Sequence, residues 1–203
     1  MTYLYSLSAL VLTSVLSVPA LAQELTPGAS EQLAFSEQPR EALKSGLRDK
    51  LLANIAVAES FEDRYEAEAW LLLMSGRLVS HVPDPDRRLQ LLRKVHHNAK
   101  QVGLQPELVL AVIEVESHFN PYALSPAGAQ GIMQIMPFWK NEIGRPEDNL
   151  IDLDTNLKYG CTILKHYLDR SDSRLAEALA RYNGSYGSYR YTMKVMDAWD
   201  RWR

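Results

Sequence analysis

Apolar residues recur every three or four positions over much of this chain, which is the spacing of one face of an α-helix. Two such series come before Pro83 and Pro85, and these prolines interrupt the pattern. The first series is Leu43, Leu47, Leu51, Ile55 and Ala58, and the second is Tyr65, Ala69, Leu72, Leu73, Leu78 and Val82. We therefore expect two helices in this part of the chain.

The same periodicity continues to the end of the sequence. Further helices are expected over residues 86–102, 106–118, 154–169, 172–182 and about 187–202. Gly103 suits the position just after a helix, Pro106 suits a first turn, and Asp154 and Asp172 suit N-caps. No alternating pattern longer than a few residues indicates a β-strand, so the predicted fold class is all-α.

One predicted helix combines an apolar face with a basic one. Leu89, Leu92, Val95 and Ala99 share one side of the helix at 86–102. Arg87, Arg88, Arg93 and Lys94 fall mostly on the other side, where we expect solvent.

The N-terminal residues have the pattern of a secretory signal. Residues 1–22 carry no charge, and an apolar block from Leu7 to Val18 precedes Pro19 and the small-residue sequence Ala20-Leu21-Ala22. We expect cleavage after Ala22 and a periplasmic location, although no Lys or Arg stands near Met1. The block is shorter than the roughly 20 residues of a comfortable membrane span, so anchoring is the lesser alternative. A polar leader, 23–39, and an N-terminal helical lobe, 40–103, would follow.

Composition argues against several classes of function. The chain has 203 residues and a formal net charge of −3, which provides no electrostatic footprint for nucleic acid. No HExxH, CxxC or phosphate-loop motif is present, so neither a metal nor a cofactor is expected. Cys161, the single cysteine, lies in an apolar helical pattern and is predicted to be a buried packing residue.

Two glutamates near the end of one predicted helix are candidate acids. Glu116 continues the apolar series Val109, Val112 and Ile113, whereas Glu114 lies on a more mixed surface. Partial burial and the helix C-terminus both raise the pKa of a carboxyl group, as a proton donor near neutral pH requires. A structural network, or simple exposure at the helix end, is the alternative interpretation of Glu116.

The segment after this helix is rich in small residues. Ser125-Pro126-Ala127-Gly128-Ala129-Gln130-Gly131 allows a ligand to approach the backbone closely. Gln134 follows within the apolar run 132–137, and its amide needs partners, either the protein backbone or a substrate group.

Taken together, these residues resemble the catalytic domain of the soluble-type lytic transglycosylases. The resemblance is carried by Glu116-Ser117, Asn120-Pro121, Ser125-Pro126-x-Gly128-Ala129-x-Gly131, Met133-Gln134-Ile135-Met136-Pro137 and Ala178-Leu179-Ala180-x-Tyr182-Asn183. It covers about residues 104–203 and implies a goose-type-lysozyme-like helical domain with an N-terminal helical extension. Where the family often has Tyr-Asn-Ala-Gly, this chain has Tyr182-Asn183-Gly184-Ser185.

The resemblance implies cleavage of peptidoglycan glycan strands with Glu116 as the sole catalytic carboxylate. It also implies substrate-binding roles for Ser125, Gln134, Met136, Tyr182 and Asn183. The expected product is a 1,6-anhydromuramyl end, formed from the bond between N-acetylmuramic acid and N-acetylglucosamine. Two alternatives remain open: a lysozyme-like muramidase that admits water, and a non-catalytic glycan-binding scaffold. The sequence identifies no envelope-machine partner.

Aromatic and basic residues of the C-terminal half have more than one interpretation. Two are considered for the aromatic residues, which could stack on sugars, although most aromatics at helical spacing belong to a core: Phe138, Trp139, Tyr159, Tyr182, Tyr186, Tyr189 and Tyr191. The basic residues Arg190, Lys194, Arg201 and Arg203 form a solvated face or, less often, a patch for an anionic substrate, and a membrane-binding helix is the lesser alternative.

Overall fold

Seven α-helices joined by loops form the part of the chain that the computed structural model describes, residues 63–203. In chain order they are α1 Arg64–Leu78, α2 Pro85–Gln101, α3 Pro106–Ser117, α4 Trp139–Ile143, α5 Leu153–Arg170, α6 Leu175–Asn183 and α7 Arg190–Trp202. Within these residues β-type pairing is limited to two isolated bridges, Leu124 with Gln130 and Gln130 with Ile135. The predicted all-α fold is confirmed. The signal peptide, the leader and the helix predicted at 43–58 lie outside the described residues.

Short polar side chains begin three of the helices. The carboxylates of Asp63, Asp84 and Asp152 accept hydrogen bonds from backbone N–H groups of the first turns of α1, α2 and α5, at 2.8, 2.8 and 2.9 Å. Each satisfies a donor that the helix itself leaves unpaired.

Two predicted N-caps are wrong. Asp152 caps α5, and Asp154 instead forms an ion pair with Lys94 of α2. Arg174 precedes α6, while Asp172 has a φ of +49° and belongs to the left-handed turn before it. Two aspartates lie near the start of α5, and α6 begins three residues after Asp172, so only the backbone path decides which residue occupies each cap.

The centre of the core is α3. Its residues Leu108–Ile113 are buried on every side, because α2 and α7 pack against it. One hydrophobic core includes residues from α1, α2, α3, α5 and α7, so the described part of the predicted N-terminal lobe shares its core with the residues after 103. Cys161 of α5 is fully buried there, as predicted, and burial raises the pKa of its thiol to about 12. Nothing between residues 63 and 203 forms a helix long and apolar enough to cross a membrane.

The buried face of α1 differs from the predicted one. Its core residues are Ala67, Leu71, Met74 and Leu78. Of the residues predicted to form that face, Tyr65 is 83% exposed, Leu72 53% and Leu73 50%. Both sets have helical spacing, because α1 carries apolar residues around most of its circumference, and the position of α2 decides which set is buried.

Arg88 is a second exception to the sequence pattern. It is buried between α1 and α2, where its guanidinium donates to the Ser75 hydroxyl at 2.9 Å and to the carbonyls of Val82 and Pro83 at 2.6 and 2.9 Å. A side chain predicted to face solvent therefore satisfies the carbonyl groups of the turn between two helices.

A buried amide on α5 fixes the long loop between α3 and α4. The Asn156 side chain accepts from Met133 N at 2.8 Å and donates to the carbonyls of Gln130 and Leu150 at 2.8 and 2.7 Å. Gly131 lies so close that a β-carbon there would be 2.3 Å from Asn156 Nδ2. This close approach, and the φ of +78° at Gly131, both require glycine.

We expect Asn156→Ala to lower the free energy of unfolding by about 3 kcal/mol, because the buried Met133 N–H and Leu150 carbonyl lose their partner and the Gln130 carbonyl loses one of two. Urea denaturation monitored by circular dichroism measures this change. Asn141→Ala, at an exposed position on α4, is the matched control and should change stability by no more than about 0.5 kcal/mol. Equal effects of the two substitutions would contradict the assigned role of Asn156.

Candidate active site

Glu116 lies in the last turn of α3, at the edge of a cavity of about 310 Å³. The chain turns sharply after this helix, because His118 and Phe119 have left-handed backbone conformations with φ of 51° and 64°. The residues that line the cavity come from α3, from the end of α6, from the α6–α7 loop and from α7. They are Val115, Glu116, Asn183, Ser185, Ser188, Arg190, Tyr191 and Lys194.

The environment of Glu116 favours its protonated form. Burial raises the pKa of this carboxyl group to about 7, and the hydrogen bonds from Tyr191 and the nearby Asn183 amide partly oppose that rise. The Tyr191 hydroxyl donates to Glu116 Oε1 at 2.7 Å. Burial and the charge of Glu116 in turn raise the pKa of Tyr191 well above its usual value, so Tyr191 stays a neutral donor. Near neutral pH, Glu116 can both give and take a proton.

Glu114, the other candidate acid, has a different set of partners. One of its oxygens accepts from Arg201 Nη2 at 2.6 Å, and the other accepts from Trp202 Nε1 at 2.6 Å. These contacts join the end of α7 to α3. Glu114 is therefore a structural link between two helices and does not line the cavity.

The loop between α3 and α4 is held to the helices on both sides of it. Ser117, which directly follows Glu116, donates from its hydroxyl to the Ile132 carbonyl at 2.7 Å. Tyr182 of α6 donates to the next carbonyl, that of Met133, at 2.9 Å. With Asn156, these bonds fix the position of the loop relative to the candidate acid.

Two of the predicted substrate residues support the loop from within. Ser125 Oγ accepts from Ala129 N at 3.0 Å. The Gln134 amide donates to the carbonyls of Ala123 and Gly131 at 3.1 and 2.9 Å, and Gln134 itself has a φ of 53°. Of the two partners considered for this amide, the backbone is the one observed. Met136 is half-buried at the end of the loop. The contacts of all three residues with a substrate stay predictions.

The predicted pair on α6 is close to Glu116. Asn183 lines the cavity and acts directly on the carboxyl group. Burial raises the pKa of Tyr182, and the charge of the nearby Glu116 raises it further. Both residues thus face the candidate acid from α6, and their roles in substrate binding also stay predictions.

Sequence reasoning gave Tyr191 only the general alternatives of sugar stacking and core packing, and it gave Asn156 no role. Tyr191 belongs to the buried stripe of α7 with Val195, Ala198 and Trp202. A buried tyrosine needs a partner for its hydroxyl, which was a signal that a polar group lies opposite. Asn156 had a similar signal, since it is an amide inside the apolar face of α5.

Two relatives of this chain have the same name. The membrane-bound lytic murein transglycosylase C of Actinobacillus pleuropneumoniae serotype 5b (strain L20) is 38% identical over 96 residues, covering 41% of this chain and 26% of that protein. The protein of the same name from Haemophilus ducreyi is 29% identical over 175 residues, or 72% of this chain and 46% of that protein. The chain thus spans between about a quarter and a half of the length of these relatives.

A solved structure and a family model complete the comparison. The structure of an inactive mutant of the lytic transglycosylase Slt from Pseudomonas aeruginosa matches with 23% identity and a TM-score of 0.44, over 68% of this chain and 28% of that one. The family model described as the transglycosylase SLT domain matches residues 94–199, which are more than half of the sequence. This chain therefore belongs to the transglycosylase SLT domain family.

Proposed function

We propose that this protein is a lytic transglycosylase that cleaves the glycan strands of peptidoglycan, with Glu116 as its only general acid and base. The observation that carries the proposal is a partly buried carboxyl group with a pKa of about 7, placed at a cavity that no other carboxylate of residues 63–203 lines. Family membership supports the reaction class, as do the names of the two relatives.

A site with a single carboxyl group suits a reaction in which no water is added to the product. Glycosidases of the two-carboxylate type need a second Asp or Glu about 5–10 Å from the acid, as nucleophile or base. The nearest acid on the same helix, Glu114, is bound to Arg201 and Trp202 and does not line the cavity.

The proposed reaction has two proton transfers. Glu116 donates its proton to the glycosidic oxygen between N-acetylmuramic acid and N-acetylglucosamine, and the C1–O bond breaks with its electron pair on the leaving oxygen. The acetamido group of the muramic residue stabilises the cation at C1. The Glu116 carboxylate then takes the proton of the C6 hydroxyl as that oxygen bonds to C1. Glu116 regains its proton, and a 1,6-anhydromuramyl end is formed.

The side chains around Glu116 have distinct roles in this proposal. Tyr191 holds the carboxyl group in place and limits the rise of its pKa, since its hydrogen bond favours the ionised form. Ser125, Gln134, Met136, Tyr182 and Asn183 are proposed to form the walls of the glycan site, the first three through the loop that Asn156 and Ser117 hold.

The proposed location is the bacterial cell envelope, where the substrate is found. The two relatives are named as membrane-bound enzymes, which supports an envelope location. The sequence pattern of residues 1–22 supports the more specific proposal of a periplasmic protein with a cleaved signal peptide.

Digestion of purified sacculi tests the proposed reaction. We expect soluble muropeptides with 1,6-anhydromuramyl ends by mass spectrometry, and a loss of at least about 100-fold in the rate of release for Glu116→Gln. Glu114→Gln, a matched substitution two residues away, should retain the product type. Fragments heavier by one water would indicate a muramidase instead. Equal release by wild type and Glu116→Gln would indicate that Glu116 is not the acid.

The pH profile tests the role of Glu116 as an acid. Since the protonated form begins the reaction, kcat/KM should fall as the pH rises above about 7. Tyr191→Phe removes a hydrogen bond that lowers the pKa of Glu116, so the descending limb should move to higher pH while kcat decreases. The exposed Tyr189 provides the control, because Tyr189→Phe should leave the limb in place. A limb that moves to lower pH in Tyr191→Phe would contradict the proposed arrangement.

The raised pKa also predicts a dependence of stability on pH. The carboxyl group has a pKa near 4.5 when unfolded and about 7 when folded, so its favourable contribution is complete below 4.5 and is lost as the pH rises through 7. Glu116→Gln has no such loss. Its free energy of unfolding relative to wild type should therefore increase between pH 4 and pH 8, by an amount on the order of 2 kcal/mol. Urea titrations at a series of pH values measure this difference, and a constant difference would refute the burial of Glu116.

A further inference from the structure

The cavity beside Glu116 contains two cationic side chains that the proposed reaction does not use. Arg190 and Lys194 both line it, and both are in the first turns of α7. Residues separated by four positions lie on the same face of a helix, so the two charges are neighbours. Tyr191, between them in sequence, points its hydroxyl at the carboxyl group of Glu116.

Neither cation has an ion-pair partner among the described residues. Three carboxylates of this region pair with other cations: Glu177 with Arg174 and Arg181, Glu114 with Arg201, and Asp200 with Arg203. Asp197, three positions after Lys194 on α7, forms no ion pair with Arg190 or Lys194 in the described part of the chain. Two like charges at this spacing destabilise a helix slightly. They are also a local feature, since the chain as a whole has a net charge of −3.

Arg190 and Lys194 are available to a ligand, because neither forms an ion pair with another described residue. Burial is the main cause of the raised pKa of Glu116, and the hydrogen bonds of Tyr191 and Asn183 oppose it. Ser185 and Ser188 also line the cavity, and the Ser185 hydroxyl is buried without a hydrogen-bond partner among the described residues. A group with several acceptor oxygens and a negative charge fits this set of donors.

We propose that Arg190 and Lys194 bind a carboxylate on the muramic acid side of the substrate, so that this site prefers anionic glycans to neutral ones. The inference rests on the proposed function. Each muramic residue carries a lactyl ether that ends in a carboxyl group. In a strand without peptides this group is a free carboxylate, and in a peptide-bearing strand it forms an amide to a stem with carboxylates of its own. Both sources present the same chemistry to the two cations.

This preference would add specificity at the site of cleavage. A glycan made only of N-acetylglucosamine has no carboxylate, so it would leave Arg190 and Lys194 without a partner in the complex. An arginine is well suited to the task, because its guanidinium can bind both oxygens of a carboxylate. Discrimination by charge thus lies in the same cavity as the acid, on the first turns of α7.

Binding measurements in the Glu116→Gln background test the proposal without turnover. Isothermal titration would use four probes: chitotetraose, a peptide-free muramyl tetrasaccharide with free lactyl carboxylates, its lactyl amide, and a peptide-bearing tetrasaccharide with free stem carboxylates. We expect at least one carboxylate probe to bind about fivefold more tightly than the uncharged probes at low salt, the effect of two exposed ion pairs. The advantage should decrease as salt is added.

Substitution of the cations should remove the preference alone. In Arg190→Gln/Lys194→Gln the carboxylate probes should fall to the affinity of the lactyl amide, while chitotetraose binding stays unchanged. Arg190→Lys/Lys194→Arg retains both charges and should keep the preference. Lys158→Gln, at an exposed lysine of α5 that lines no described part of this cavity, is the matched control and should also keep it.

The binding results either support the proposal or overturn it. A preference for the lactyl or the stem carboxylate that depends on the two cations supports the proposal and identifies the source. Equal binding of all four probes, or an equal loss for neutral and anionic probes in the double glutamine variant, overturns it. Anhydromuramyl products from wild type without any charge preference would overturn only this inference. A charge preference without such products would overturn only the proposed reaction.

Discussion

Desolvation of one carboxyl group is the constraint around which this site is built. Glu116 ends a helix whose residues Leu108–Ile113 are buried on all sides, so the packing that stabilises α3 also carries the acid out of water. The resulting pKa of about 7 makes the ionised form unfavourable in the folded state. Tyr191 and Asn183 limit this cost without removing it, and they leave the group close to the midpoint of its titration at neutral pH.

Polar contacts with both ends of α7 hold the end of α3, and with it Glu116, in place. Glu114, two residues earlier, binds Arg201 and Trp202 and so joins α3 to the end of α7. Tyr191, at the other end of α7, donates to Glu116 itself. The same pair of helices therefore supplies the core packing, the structural link and the hydrogen bond to the acid, so a shift of α7 would alter all three.

The loop after α3 depends on hydrogen bonds from three separate helices. Ser117 of α3, Asn156 of α5 and Tyr182 of α6 bind its backbone within a few residues of one another. Small residues allow this arrangement, since a side chain at Gly131 would collide with Asn156, and one at Gly160 would come within 2.2 Å of the Met133 sulfur. The loop after α3 is rich in glycine and alanine, yet its conformation is fixed, because these backbone groups have hydrogen-bond partners.

Local rules in the sequence determined most of the secondary structure and the choice of Glu116 as the candidate acid. Periodicity placed α2, α3 and α5 to α7 within a few residues, and the position of Glu116 on an apolar stripe separated it from Glu114. Local sequence patterns could not decide between two arrangements of residues that have the same spacing along the helix. The caps of α5 and α6 were decided by the backbone path, and the buried face of α1 and the burial of Arg88 were decided by neighbouring helices. The partners of Glu116 lie about 70 residues further along the chain, as do the cations of its cavity. Hydrophobic spacing identifies the buried face of a helix where only one side is apolar, but the residue that meets this face across the core depends on how the helices pack, and only the tertiary structure determines that.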